Sequence, residues 1–220
     1  MEKNILTLIT VTVICIFSSC VRAQNDQKTE KQTANFEVTD IQKDTEEIQK
    51  LIQRVLSWSE SKESVDLLPI LADSKDSVYV GFDMDKLKEN LNKLKETSFF
   101  SSEFIENYNQ IILTLDRKLK NKEYIEWLVG DLPPFKFAND CNPWWNGQEY
   151  FSLQLDIVEK INLSKDEGEF YFKCGSMGND CSGLEGYKTR FRVVKRENKW
   201  KISYMQGFDY LESTKKDGEI

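Results

Sequence analysis

The stretch 187–209, YKTRFRVVKRENKWKISYMQGFD, constrains the fold more than any other part of the chain. Its first half alternates with period two: Tyr187, Thr189, Phe191 and Val193 share one face, and Lys188, Arg190 and Arg192 share the other. Glu197-Asn198 then reads as a two-residue turn, because Asn tolerates positive φ. The alternation resumes with Trp200, Ile202 and Tyr204 against Lys199, Lys201 and Ser203. A hairpin with one apolar and one charged face belongs to an antiparallel sheet covered on one side only. The cover must come from elsewhere in the chain.

Three upstream stretches have the period to supply it. Ile48, Leu51, Ile52, Val55 and Leu56 recur at helical spacing, with Asp44 and Glu47 at the spacing of a capping box. Leu87, Leu91 and Leu94 follow Asp83 or Asp85 as a cap, and Phe104, Tyr108, Ile111, Ile112, Leu115 and Leu119 follow Ser101 or Ser102. Helices are expected over 44–60, 85–97 and 102–120. Two further alternating runs place strands at 151–163 and 168–174, ahead of strands at 187–196 and 199–206. Helices first and strands after give an α+β class, with N-terminal helices packed on one face of a curved antiparallel sheet of about four strands. Trp200, Ile202, Phe191 and Phe172 are expected in its core.

Residues 1–23 read as an export signal, with Lys3 before an apolar run from Ile5 to Phe17 that is too short to span a bilayer. Phe17-Ser18-Ser19-Cys20 resembles a lipobox, which would make Cys20 a lipidated mature N-terminus. Val21-Arg22-Ala23 fits ordinary cleavage before Gln24. Lipidation is preferred because Cys20 directly follows the apolar run. The polar stretch 24–43 is expected to be a disordered tether, 44–210 a single α+β domain and 211–220 a C-terminal tail.

Composition removes whole classes of chemistry. The 220 residues include no histidine, so a Ser-His-Asp triad, a Cys-His pair and histidine metal ligation are excluded. Beyond the signal only Cys141, Cys174 and Cys181 remain, one short of a four-thiolate zinc site. No cofactor or metal is expected. A net charge of −7 disfavours nucleic acid as a partner.

In an oxidising compartment the odd set of three cysteines leaves one over. A Cys174–Cys181 disulfide is expected, because Gly175 and Gly178 let the intervening loop turn back. The competing pair joins Cys141 to either partner; the plain alternative is three thiols, with Cys174 packed as a small apolar residue.

Phe135, Trp144, Trp145 and Tyr150 form the densest aromatic cluster, with Asp140 and Glu149 beside it. Phe135, Asp140, Trp144, Trp145 and Tyr150 are the candidate binding residues, as aromatic walls and polar groups of a pocket mouth. The competing reading is that the loop plugs an open end of the sheet with its rings. An enzyme would use Asp140 or Glu149 as base and Tyr150 or Tyr204 as donor. A second candidate surface is a basic sheet face of Lys173, Lys188, Arg190, Arg192 and Lys201, suited to an acidic partner; its plain reading is a solvated face interleaved with Glu169.

The order of elements resembles the nuclear-transport-factor-2-like (cystatin-like) α+β fold. Three places carry a closer likeness: Phe99-Phe100-Ser101 with Phe104; Asp140, Pro143 and Gln148-Glu149; and Trp200-Lys201-Ile202 with Gly207-Phe208-Asp209. On these residues the stretch 44–210 resembles the secreted bacterial YbjP/YqhG family, found among envelope lipoproteins and without an assigned biochemical function. The resemblance implies an envelope lipoprotein and transfers no function, since the fold hosts enzymes, binding modules and immunity proteins alike. The leading reading is an exported, lipid-anchored envelope protein that binds a ligand or protein partner and meets the membrane only through its anchor. A small metal-free enzyme of the same fold and an immunity protein against an envelope-delivered toxin are the alternatives.

Overall fold

Apolar residues spaced three and four apart do form helices here, and two of them begin where a short polar side chain holds the first free amides. A computed structural model of the chain describes residues 41–139, 141–145, 158–173 and 188–218. The chain divides into two units, 1–46 and 47–220, and the packing that follows is that of the second. Helix α1 runs over 41–59. It starts earlier than the Asp44–Glu47 spacing suggests: the Thr45 hydroxyl donates to the Ile41 carbonyl at 2.8 Å, and Asp44 lies inside the helix. Helix α2, Met84–Thr97, is capped by Asp83, whose carboxylate accepts from the amides of Asp85 and Lys86. Helix α3, Ser102–Lys120, is capped by Ser101.

Between α1 and α2 a short hairpin pairs β1 (Ile70–Ala72) with β2 (Tyr79–Phe82). The main sheet is antiparallel, in the order β3 (Val158–Leu163), β4 (Glu167–Lys173), β5 (Lys188–Arg196), β6 (Lys199–Met205). A 3₁₀ turn, Gln206–Phe208, and a last short helix α4, Tyr210–Ser213, follow. N-terminal helices followed by a four-stranded open antiparallel sheet make this an α+β protein, the architecture of a nuclear-transport-factor-2-like fold. The expected strand over 151–163 is described from Val158 onward; its first residues lie outside the described set.

The inward sheet face carries Phe170, Phe172, Phe191, Val193, Trp200, Ile202 and Met205, all buried. They meet Ile48, Leu51, Ile52, Val55 and Leu56 of α1, Leu87 and Leu94 of α2, and Phe104, Tyr108, Ile111, Ile112 and Leu115 of α3 in one continuous core. The segment before α3 is stitched to the margin of the sheet. The Ser101 amide donates to the Ile202 carbonyl at 2.9 Å, and the Ile202 amide donates to the Phe99 carbonyl at 2.8 Å.

One part of the simple alternation does not hold. Arg192 pairs with Tyr204 but Val193 pairs with Ile202, so Ser203 is an extra residue, a β-bulge. The bulge turns Tyr204 from the core face, where alternation puts it, to the outer face beside Arg192. Met205 takes the core position instead and is fully buried.

The β5–β6 turn has φ of 53° at Glu197 and 59° at Asn198, a type I′ geometry. Asn accepts this region readily; Glu does not, and a side chain held there costs roughly 1 kcal/mol. Glu197→Asn is therefore expected to stabilise the domain by about 1 kcal/mol, read as a rise of about 2–4 °C in melting temperature for a chain of this size. An unchanged or lower melting temperature would show the turn to be unstrained.

Residues 211–218, expected as part of a tail, are tied into the fold: the Lys136 amide donates to the Lys215 carbonyl, the Asp217 amide to the Pro134 carbonyl, and the Tyr124 hydroxyl to the Thr214 carbonyl. Prolines and turns leave 123–139 without regular partners of its own, so it takes them from residues 77–79 and from residues 213–217.

The hairpin is tied to α3 by Arg196, whose Nη2 lies 2.7 Å from Glu103 Oε1. That hydrogen bond, foremost, holds the Glu103 carboxyl down at about 2, from an ordinary 4.5. A lowered carboxylate contributes stability that is present above its unfolded value and lost as pH falls through the folded one. Both side chains are half exposed, so the contribution at neutral pH stays below about 1 kcal/mol. The stability gap between the native chain and Glu103→Gln is expected to shrink between pH 4.5 and about 2. A gap unchanged over that window in acid denaturation curves would dismiss the pair as a contributor.

Candidate functional site

The aromatic segment 124–145 sends its rings inward. Tyr124, Trp127, Phe135, Phe137 and Trp144 are all buried. Phe135 packs against Phe82, Tyr124 and Trp127. Trp144 is 2% exposed and sits among Trp58, Phe100, Phe104 and Phe208, with centroids 5.6, 5.6, 6.2 and 4.7 Å away. For Phe135 and Trp144 this packing favours the competing reading, in which the loop plugs an open end: their ring faces are covered by other rings, although Trp144 also borders one hollow. Trp145 is half-buried, and its carbonyl accepts from the Thr189 hydroxyl of β5 at 2.9 Å. Asp140, Glu149 and Tyr150 lie outside the described residues. So do Cys20, Cys174 and Cys181; Cys141 is described and exposed.

The outer face of the sheet gathers the cations that the alternation put there. Lys188 and Arg192 are exposed, and Arg190 and Lys201 are half-exposed. Lys173 stands at the register position opposite Lys188. Two tyrosines lie between them. The Lys188 ammonium is 5.8 Å from the Tyr171 ring centre. The guanidinium carbons of Arg190 and Arg192 lie 5.3 and 4.5 Å from the ring centre of Tyr204, so one phenol ring carries two cations. Tyr204 was missed by period-two reading because only the bulge brings it to this face. Tyr171 alternates with the cations and was legible, but nothing in its spacing said that cations would stack on it.

Acidic groups answer part of this charge. Glu159 pairs with Lys188 at 2.7 Å, and Glu169 lies 3.5 Å from Arg190 Nε. Among the described residues no carboxylate pairs with Arg192 or Lys201. The Tyr204 hydroxyl donates to Asp209 Oδ2 at 3.2 Å. Burial first, and then the Asp209 charge, push that hydroxyl above the ordinary phenol range. Tyr204 therefore stays a neutral donor at physiological pH and is poorly placed to give up a proton in catalysis.

Concave regions also mark the surface among the described residues. A groove of about 830 Å³ lies between α1, the α2–α3 turn and the end of the β5–β6 hairpin. Two smaller hollows, of about 530 and 540 Å³, flank the 138–143 loop. Among the described residues no cluster of three His, Cys, Asp or Glu could hold a metal ion, and no helix is long and apolar enough to cross a membrane. No protein-family model, no curated protein and no solved structure matches the chain.

Proposed function

We propose that the protein is exported to the bacterial envelope, carries a lipid at Cys20 and works there by binding an acidic partner on the outer face of its sheet. The observation that carries the binding half is the pair Arg190 and Arg192 over one tyrosine ring, with no carboxylate on Arg192 among the described residues. A planar cation held on an aromatic face keeps its edge free for bidentate recognition of a carboxylate or phosphate group. The overall charge of −7 makes this basic face a local exception and weighs against long polyanions such as nucleic acid. The export half rests on the apolar run ending at Cys20 and on the YbjP/YqhG resemblance.

Both halves have a direct test. In pull-downs from envelope extract, Arg190→Gln with Arg192→Gln is expected to lower recovery of the specific partner at least tenfold, with circular dichroism melts checking that the variant folds, since Arg190 also meets Glu169 and Tyr204. Identical capture by the native chain and the double variant would remove the sheet face from the binding reaction. For the address, mass spectrometry of the mature N-terminus is expected to show diacylglyceryl-modified Cys20. A soluble product beginning at Gln24 would replace the lipid anchor with plain secretion.

A further inference from the structure

The groove between α1 and the hairpin end lies apart from the Arg190–Arg192 cluster, and only Lys199 shares a strand face with a residue of that surface, Lys201. Its rim is cationic. Lys50 and Arg54 are four residues apart on α1, so they rise from successive turns of one helix face; Lys199 stands across from them on β6. All three are exposed, and among the described residues none of them has a carboxylate within ion-pair distance. Glu47 is the single acid of the lining. The floor is apolar: Leu51 and Trp200 are buried there and Phe99 is half-buried, with the Arg54 guanidinium carbon 5.4 Å from the Phe99 ring centre.

We infer that this groove binds a short acidic peptide segment whose apolar side chains rest on Phe99, the accessible ring of the floor, and whose carboxylates meet Lys50, Arg54 and Lys199. Charge complementarity sets the sign of the ligand, three cations to one acid in a chain of net charge −7. The rest of the lining decides between a peptide and a lipid tail. The Thr97 hydroxyl is already engaged by the Leu94 carbonyl and the Phe99 amide, whereas Ser57 and Asn198 bring a hydroxyl and an amide group to the groove lining. An acyl chain would strip these of water and give nothing back. A peptide backbone offers an amide and a carbonyl at every residue and can satisfy them. The volume of about 830 Å³ falls in the range of ligand clefts and suits a few residues of peptide rather than a domain surface.

The test uses the mature protein and a synthetic peptide of alternating Glu and Leu, with binding followed by titration calorimetry. Saturable binding is expected, weakening as salt rises. Lys50→Glu with Arg54→Glu is expected to reduce affinity at least tenfold, and a Glu-Ser peptide is expected to bind at least tenfold more weakly than Glu-Leu. Circular dichroism melts check that the double variant folds. Lys88→Glu with Lys93→Glu, exposed positions of α2 outside both surfaces, is expected to leave the affinity within twofold, which separates the groove from a general change of charge. Absence of saturable binding, or equal binding by the Lys50/Arg54 variant, would overturn the assignment. So would binding to phosphatidylglycerol vesicles that depends on Lys50 and Arg54 while the peptide is ignored, since the occupant would then be a lipid headgroup.

Discussion

Trp144→Ala is expected to destabilise the protein by about 3–5 kcal/mol, the range for removing a large aromatic side chain from a closed core. The indole is 2% exposed and touches rings from α1, α3, the segment preceding α3 and the 3₁₀ turn. No one of those elements can move into the space without breaking its own packing, so the cavity would stay largely open. Chemical denaturation followed by circular dichroism gives the number. A loss of 1 kcal/mol or less would mean that Trp144 is replaceable, and would return the aromatic loop to candidacy as a ligand rim. The prediction thus decides between the two readings of the Phe135–Trp144 cluster in solution.

The second large effect lies one contact away. A methyl group added at Gly207 would collide with the Pro143 carbonyl oxygen and would come within 2.6 Å of Pro143 Cα and 2.7 Å of its carbonyl carbon. These are backbone atoms, which cannot rotate aside as a side-chain tip can. Gly207→Ala is expected to cost about 3 kcal/mol, at the upper end for overpacking, because the 141–145 loop must lift to make room. Trp144 is the residue after Pro143, so lifting the loop also drags the indole from its cluster. The two substitutions should therefore not add: in a Trp144→Ala background, Gly207→Ala should cost at least 1 kcal/mol less than it does alone. Simple additivity in the double-mutant cycle would show that the glycine contact and the indole are independent.

How much of this could be read from residues alone follows from the range of the forces involved. Local period was enough for the helices, since Ile48 to Leu56 and Phe104 to Leu115 leave little choice of face, and Asp83 and Ser101 cap where a short polar residue precedes an apolar run. The hairpin turn at Glu197-Asn198 and the burial of Phe172, Phe191, Trp200 and Ile202 were legible for the same reason. Tyr204 was not, because a bulge at Ser203 is a property of two strands together and changes the face of everything after it. The fate of Phe135 and Trp144 was open because an aromatic residue in an irregular segment packs wherever long-range partners leave room, and Phe82, Phe100 and Phe208 are far away in the chain. The groove rim was invisible for a related reason: Lys50 and Arg54 look like an ordinary solvated helix face until the hairpin end brings Lys199 opposite.

The stitching of Phe99 to Ser101 along β6 has a consequence for how copies of this protein behave beside one another. A strand at the end of a sheet is a template on which a strand from another molecule can grow, and such growth is the first step toward fibrils. On β6 the template is already taken. Both the amide and the carbonyl of Ile202 are satisfied by the protein's own chain. A foreign strand could not add there without first peeling away the segment that starts α3, and with it the Ser101 cap and the buried ring of Phe100. Where copies crowd together, the sheet margin at Ile202 would remain closed to its neighbours.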